Sequence, residues 1–365
     1  MASDRSVGLP PTAITRLLGL QHAIVQAPMA GAQDTALTIA VSRAGGLGML
    51  PCGMLSAAQI RAAVTVIREA TDAPFGLNFF AHQPPVPDTS VNAAWLEKLR
   101  PLYAEYGLEP PTALVDARRP FDRELFELVL ALQPPVVSFH FGLPDPTWVR
   151  ALQTAGCKVL STATTLAEGQ FLQAAGVDAV IAQGLEAGGH RGCFLDCDPQ
   201  TQIGTFALVP LLVDKLHVPV IAAGGIADGR GVAAAFLLGA SAVQIGTAYL
   251  RCPESTIGPL YRQALANPTR HHTRLTNVLT GRTARGMLNR TMRELGPLSD
   301  SAPTFPLAAS ALAPLRAMAE VKGSDDASPL WAGQAVSVAP HTMDAAAFTH
   351  HLVTVADRLL PGAGS

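Results

Sequence analysis

The chain has 365 residues, of which 48% are hydrophobic and 15% are charged, and its formal net charge is −2. This composition predicts a large apolar core and excludes a disordered scaffold. Because the sequence contains no basic run, nucleic acid and an anionic membrane are excluded as its main partners. The expected ligand is a small molecule.

The N-terminal segment and the cysteines together predict a cytoplasmic protein. The segment lacks a positively charged stretch followed by a long apolar core, so no signal peptide is expected. No apolar run is long enough to span a membrane. The odd number of cysteines predicts reduced thiols, at Cys52, Cys157, Cys193, Cys197 and Cys252. Cys193 and Cys197 have no second cysteine pair or histidine at zinc-site spacing, so no metal is expected.

Eight short apolar segments predict eight strands, each buried on both faces. Most of them are followed by a stretch with apolar residues at helical spacing. The segments are 24–29, 46–51, 74–80, 136–142, 158–164, 179–184, 218–224 and 242–250. Eight such units predict an α/β protein with a (β/α)8 TIM barrel over residues 1–250. The competing architecture is an open doubly wound sheet, but its GxGxxG fingerprint is absent after the first strand.

Two regions interrupt this alternation. Residues 81–120 have a proline-rich start and a helical pattern, and they form a predicted insertion at the barrel end where active sites lie. Residues 251–340 lack the strand and helix alternation but include TNVLTGRTARG, a candidate β-ribbon, and are predicted to form a cap. Residues 341–365 carry an apolar helical stripe, so we expect a C-terminal helix that packs back on the barrel.

The loops after the seventh and eighth predicted strands have the features of a phosphate site. Gly224 and Gly225 follow the seventh strand and can expose backbone N–H groups to an anion. Gly246 and Thr247 end the eighth strand, where they offer close approach and a hydroxyl. Paired glycines in such turns can also serve tight packing alone. In barrels of this kind, phosphate is commonly held by these two loops, so their combination predicts a phosphate site.

Other strand ends carry groups suited to a flat heterocycle. Ala27, Pro28 and Met29 form a tight turn that could present backbone groups to such a ring. Asn78 ends the third strand and Gln183 ends the sixth, and each amide has a donor and an acceptor for a ring edge. The alternative role for either amide is strand-end capping. A phosphate at one side of the mouth and amides at the other describe FMN lying across the barrel.

Two histidines are candidates for chemistry. His190 follows the glycine pair Gly188–Gly189 in AQGLEAGGHRG, where it could exchange protons near neutral pH or simply bond to its own backbone. His140 shares a strand face with Ser138. If that face is the barrel interior, His140 lies near the top as a candidate substrate-pocket residue, and the alternative is a core histidine. The other histidines are expected to be solvated on loops or surface faces, including His82, His217, His271, His272, His350 and His351.

The sequence motifs that contain these residues resemble those of the FMN-dependent nitronate monooxygenases, formerly called 2-nitropropane dioxygenases. The resemblance rests on QAPMAG, AGGLG, APFGLNFF, SFHFG, QGLEAGGHRG, AAGGIADG and QIGTA in family order, and it continues into GRTARG and WAGQAV. It assigns catalysis to His190. Together with the strand-end analysis, it gives these expected cofactor contacts: Ala27, Pro28, Met29, Asn78, Gln183, Gly188, Gly189, Gly224, Gly225, Gln244, Ile245, Gly246 and Thr247.

The resemblance implies oxidation of alkyl nitronates with O2 to a carbonyl compound and nitrite, with neutral nitroalkanes as a second substrate class. His190 would orient the nitro group or remove the α-proton. The same barrel and FMN site would also suit an NAD(P)H:quinone reductase or an enoyl-thioester reductase. A third hypothesis is a sensor barrel that binds a phosphorylated ligand without catalysis. The cap reads APTFPLAAS, with Phe305 and no tyrosine where some members have tyrosines. The substrate's shape and the oligomeric state therefore stay open.

Overall fold

A computed structural model describes residues 9–86, 88–115, 118–339 and 343–360. Within these residues the chain forms one eight-stranded parallel sheet and one small antiparallel sheet. In chain order the strands are β1 (Ile24–Gln26), β2 (Gly48–Pro51), β3 (Phe75–Phe80), β4 (Val136–His140), β5 (Lys158–Ala163), β6 (Ala179–Gln183), β7 (Gly189–His190), β8 (Val220–Ala223), β9 (Ala242–Ile245), β10 (Thr273–Thr276) and β11 (Ala284–Met287).

The parallel strands form a barrel in the order β1-β9-β8-β6-β5-β4-β3-β2. A parallel bridge between Val25 and Leu47 joins the two ends of this order and closes the ring. All eight predicted strands and the (β/α)8 barrel are therefore confirmed. The eighth strand is shorter than predicted because the chain turns at Gly246, and Tyr249–Arg251 form a short 3-10 helix.

Helices pack around the barrel, and others belong to the insertion and the region after the barrel. They are α1 (Ala13–Leu18), α2 (Thr35–Arg43), α3 (Ala57–Ala70), α4 (Thr89–Glu105), α5 (Arg123–Leu132), α6 (Pro146–Thr154), α7 (Leu166–Ala174), α8 (Thr205–Lys215), α9 (Gly229–Leu237), α10 (Pro259–Ala266), α11 (Arg290–Leu295), α12 (Leu307–Val321) and α13 (Ala345–Leu359). Asp34, Asp145 and Asp228 accept hydrogen bonds from first-turn N–H groups of α2, α6 and α9. These caps satisfy otherwise unpaired donors, so the helices begin directly after the loops.

The core has two layers, which explains the unbroken apolar runs in the sequence. Alternate strand residues such as Val136 and Leu160 fill the barrel interior. The intervening residues such as Val137 and Val159 pack between the strands and the outer helices. Because each strand is buried on both faces, most strand positions are apolar, and buried polar residues such as Asn78, Thr162 and Gln183 lie toward the carboxyl-terminal strand ends. Those ends are where the candidate site residues lie.

The two interrupting regions meet over the barrel. Trp95 and Leu99 of α4, in the predicted insertion, share a buried cluster with Leu312 and Leu315 of α12. β10 and β11 pair antiparallel, which confirms the β-ribbon predicted near TNVLTGRTARG. α13 packs against α9 and α2 on the outside of the barrel. The division of the chain at residues 250 and 340 stays a prediction.

The expectation of five reduced thiols is wrong for two of them. Cys193 and Cys197 form a disulfide, with their Cα atoms 5.3 Å apart. The chain folds back after Gly192 and brings the two cysteines into bridging range, which their spacing in the sequence does not reveal. Cys52, Cys157 and Cys252 are buried free thiols. The cytoplasmic location stays a prediction. Among the described residues, no helix is long and apolar enough to cross a membrane.

Candidate active site

His190 lies where the barrel meets the cap. It belongs to the two-residue strand β7, in which His190 pairs with Ala284 and Gly189 pairs with Arg285. The N–H of Arg191 donates to the carbonyl of Thr283 at 2.9 Å and continues this pairing. Gly189 has a φ of 75°. The glycine allows the sharp turn out of β6, and the ribbon then holds the histidine in a fixed place.

The His190 ring is bound to a neighbour rather than to its own backbone. Its Nε2 lies 2.9 Å from the Thr280 hydroxyl, and that hydroxyl donates to the Arg282 carbonyl at 3.3 Å. With the hydroxyl proton on Arg282, we assign the Thr280 oxygen as the acceptor of Nε2–H of His190. This tautomer leaves the lone pair on Nδ1, which makes no hydrogen bond to any described residue. His190 is therefore a neutral imidazole with one nitrogen ready to accept a proton.

His140 and Gln183 hold the His190 backbone. The carbonyl of His190 accepts from Nε2 of His140 at 3.1 Å and from the Gln183 amide at 2.9 Å. The Thr162 hydroxyl, 3.1 Å from Nδ1 of His140, fixes the other side of that ring. The Gln183 oxygen accepts from the N–H of Gly192 at 2.8 Å. Both the nitrogen and the oxygen of the Gln183 amide thus bind the loop that follows β6. His140 lies at the top of the interior face of the barrel.

Burial and nearby cations keep these imidazoles uncharged. Burial lowers the pKa of His190 well below its ordinary value, and the positive charges of Arg118 and Arg282 lower it further. Burial likewise lowers the pKa of His140 to about 4. Because the charged form is disfavoured, both rings are neutral at physiological pH. A neutral His190 can take up a proton from a substrate.

Aromatic rings enclose His190 from both the barrel and the cap. Its ring centroid lies 6.0 Å from Phe141, 5.3 Å from Phe305 and 5.3 Å from Trp331. Phe141 follows β4, whereas Phe305 and Trp331 come from the region after the barrel. Such walls exclude water and favour a flat or apolar substrate.

The expectation that His82 is solvated is wrong. His82 is 6% exposed, and its ring centroid lies 5.0 Å from Phe305 and 6.1 Å from Phe141. The proline-rich start of the insertion suggested a surface loop, but the cap covers it. His82 is a third histidine of this aromatic cluster.

Two arginines near His190 are absent from the predicted site. The guanidinium carbon of Arg282 lies 4.1 Å from the Phe141 ring centroid, and its Nη2 donates to the Cys193 carbonyl. The guanidinium carbon of Arg118 lies 5.4 Å from the Phe305 ring centroid. Arg282 lies in GRTARG and Arg118 lies in the insertion, which are the signals that could have identified them.

The turn after β1 is fixed by two glutamines. The N–H of Met29 donates to Oε1 of Gln33 at 3.0 Å, and Nε2 of Gln33 donates to the Met49 carbonyl at 2.8 Å. Gln33 also contacts the fully buried Gln26. The N–H of Ala27 donates to the Ile245 carbonyl at 2.8 Å. Two N–H groups that were expected to face a ligand are thus used inside the turn, which also contains Pro28.

Among the remaining predicted contacts, Asn78 and Gln244 lie on the interior face of their strands, whereas Ile245 lies on the outer face. The Asn78 amide donates to the Ser138 hydroxyl at 2.8 Å, inside the top of the barrel. Gln244 is part-exposed and follows the interior residue Ala242 by two positions. The side chain of Ile245 packs in the outer layer of the core, so only its backbone can reach a ligand in the mouth.

The glycine loops converge with a segment of the cap. Gly224 and Gly225 have φ values of 109° and 73°, a backbone form that suits anion-binding turns. The N–H of Gly333 donates to the Thr247 hydroxyl at 3.0 Å. A Cβ on Gly188 would lie 2.5 Å from the Gly333 nitrogen. The cap is therefore packed directly on the predicted phosphate side of the mouth.

Gly246 borders space that a ligand could use. A Cβ at Gly246 would meet only Ala27 Cβ at 3.5 Å and Met29 Sδ at 3.7 Å within 4 Å, and a Cβ at Gly189 would meet nothing within 4 Å. The mouth is therefore lined by backbone without side chains near the ends of β6 and β9, which are separated by one strand of the barrel. Such a cradle fits a flat cofactor with a phosphate tail.

A family model described as nitronate monooxygenase matches residues 11–354. The chain belongs to the nitronate monooxygenase family. It is accordingly an enzyme, an oxidoreductase that acts on nitronates. The family is in general flavin-dependent, in agreement with the cradle at the mouth.

The chain is also similar to individual proteins over most of its length. A nitronate monooxygenase of Pseudomonas aeruginosa is 46% identical over 89% of this chain and 93% of its own length. The crystal structure of a nitroalkane oxidase from Streptomyces ansochromogenes is 38% identical, with a TM-score of 0.85 over 94% of this chain and 98% of that one. FabK from Thermotoga maritima is 28% identical, with a TM-score of 0.73 over 96% and 97%.

The low pKa of His140 predicts that this nitronate monooxygenase family member loses stability on acidification. The folded-state pKa is about 4 and the unfolded value is about 6.5. The contribution of His140 to the free energy of unfolding is fully present above the unfolded pKa. About 3 kcal/mol of it is lost as the pH falls from 6.5 to 4. Urea unfolding at pH 7.5, 6 and 4.5 measures this loss. A His140→Gln variant, which keeps a donor for the His190 carbonyl, should lose less stability, and equal losses in both proteins would contradict the prediction.

Proposed function

We propose that this enzyme uses FMN as its flavin and oxidises alkyl nitronates with O2 to carbonyl compounds and nitrite. The observation that carries the proposal is the neutral His190, which is held at the barrel mouth with Nδ1 available and is enclosed by aromatic rings. Membership of the nitronate monooxygenase family supports the substrate class. The glycine cradle supports a phosphorylated flavin.

The chain supplies groups suited to each part of FMN. The turn at Gly224 and Gly225 and the loop at Gly246 and Thr247 would hold the phosphate through backbone N–H groups. The turn after β1, with Met29, would lie against the ring. When bound, the flavin would accept electrons from the substrate and pass them to O2. The protein's part is to position the substrate and to handle its proton.

His190 would act on the substrate in one of two ways. With a neutral nitroalkane, Nδ1 would take the α-proton, because the tautomer held by Thr280 leaves its lone pair there. With a nitronate, which has already lost that proton, the ring would only orient the nitro group. The lowered pKa keeps His190 unprotonated throughout the neutral range and makes it a weaker base than the histidine titrating near neutral pH that the sequence suggested.

Anaerobic additions to the purified flavin-loaded protein test this proposal. Propyl nitronate should bleach the flavin absorbance rapidly, whereas NADH should do so slowly or not at all. Rapid bleaching by NADH without bleaching by the nitronate would indicate a reductase and overturn the proposal. A protein that neither carries nor takes up FMN would overturn the cofactor assignment and favour a sensor.

A further inference from the structure

We propose that Arg118 binds the anionic nitro group of the substrate beside His190 and thereby favours nitronates over neutral nitroalkanes. This inference rests on the function proposed above. It assigns the charge recognition to the insertion after β3 rather than to the cap or the barrel strands.

The insertion holds Arg118 over the mouth from two directions. Three residues further on, the N–H of Phe121 donates to the carbonyl of Phe80 at 2.7 Å, at the top of β3. Three residues before it, the N–H of Val115 donates to the Ser310 hydroxyl in α12 at 3.0 Å. Arg118 is thus placed between an anchor on the barrel and an anchor on the cap.

Phe305 connects the guanidinium to the proposed base. The guanidinium carbon lies 5.4 Å from the Phe305 ring centroid, and that centroid lies 5.3 Å from the centroid of the His190 ring. The positive charge of Arg118 also lowers the pKa of His190. The cation and the imidazole therefore belong to one site.

The Arg118 guanidinium stays protonated although it is buried. Burial lowers its pKa to about 10, so the guanidinium stays protonated at neutral pH. A planar guanidinium with several N–H donors matches the two oxygens of a planar nitronate, which carry its negative charge. A neutral nitroalkane offers the same shape without the charge. The arginine should therefore select the substrate by its protonation state.

Arg282 is less suited to this task. Its Nη2 donates to the Cys193 carbonyl, and its guanidinium packs on Phe141, on the barrel side of His190. These contacts hold the segment that follows His190. The cap stretch APTFPLAAS brings Phe305 but no charged residue to the site. Arg118, from the insertion, instead packs on Phe305, on the cap side of His190.

Steady-state kinetics of Arg118→Gln holoenzyme tests the inference. The variant should raise KM for propyl nitronate about tenfold, because a charge-assisted hydrogen bond is lost, and should leave KM for 1-nitropropane within about twofold. Arg118→Lys keeps the charge and should lie between the wild type and Arg118→Gln. The matched control is Arg119→Gln, since Arg119 is exposed and pairs with Asp122 and Glu124. Its KM values should equal those of the wild type.

Binding of nitrate provides a readout that does not depend on turnover. Nitrate is an inert planar anion with the outline of a nitro group, and its binding is followed by the change in flavin absorbance. The Kd for nitrate should rise about tenfold in Arg118→Gln and stay unchanged in Arg119→Gln. An unchanged nitrate Kd, or equal KM increases for both substrates, would overturn the role of Arg118. If the wild type fails to oxidise nitronates, the proposed function fails, and nitrate binding alone then decides the role of Arg118.

Discussion

Replacing His190 with asparagine should lower kcat/KM for neutral nitroalkanes by about 10²–10⁴-fold, the usual contribution of a general base. Asparagine keeps a polar side chain of similar reach but has no nitrogen that can take up a proton. With propyl nitronate the loss should be much smaller, because that substrate arrives deprotonated. The ratio of the two losses, measured by nitrite release or oxygen uptake, separates a base from a group that only orients the substrate.

The controls for His190→Asn are the FMN content and the melting temperature, since the backbone of His190 is held through its carbonyl and not through the ring. Both should match the wild type. Equal losses with nitroalkane and nitronate would indicate an orienting role, and full activity with both would remove His190 from the mechanism.

The pH dependence gives a second measure of the same role. Because the pKa of His190 lies well below its ordinary value, the ring loses its basic form only under acidic conditions. The wild-type kcat/KM for nitroalkanes should therefore stay level from neutral pH to below 6.5. A decline that begins near pH 6.5 would show that His190 titrates as an ordinary exposed histidine.

The barrel could be predicted from the sequence because its strands are buried on both faces. Val136 and Val137, for example, point into different layers of the core, yet both are apolar. Such runs stand out from the amphipathic helices between them. The position of each strand end then followed, and with it the location of His140 and His190 at the barrel mouth.

Contacts between distant segments could not be predicted in this way. The two-residue strand β7 forms because β11 pairs with it, and neither residue has a strand pattern of its own. His82 is buried by Phe305, which lies far along the chain. The Gln183 amide is used by the loop that follows it, although the same amide could equally bind a ring edge. In each case the local sequence shows which chemical group is present, but not which distant residue it contacts.

Adding one methyl group at Gly246 should weaken FMN binding by about 10–100-fold, because overpacking of this kind costs about 1–3 kcal/mol. In Gly246→Ala the new Cβ would touch Ala27 Cβ at 3.5 Å and Met29 Sδ at 3.7 Å, which are ordinary contacts. The protein alone should therefore tolerate the change. The methyl group would occupy space that the proposed cofactor needs, so the effect should be confined to the loaded state.

Flavin fluorescence quenching during titration of the apoprotein measures the FMN Kd, and thermal unfolding of the same apoprotein measures any cost to the fold. The matched control is Gly258→Ala at the start of α10, where a Cβ would meet nothing within 4 Å. Its FMN affinity should equal that of the wild type. Gly188→Ala would be less informative, since its Cβ would lie 2.5 Å from the Gly333 nitrogen and disturb the cap without any cofactor. An unchanged FMN Kd in Gly246→Ala would show that the cofactor does not bind at the β9 loop. The reaction proposed for His190 would then also have to take place elsewhere.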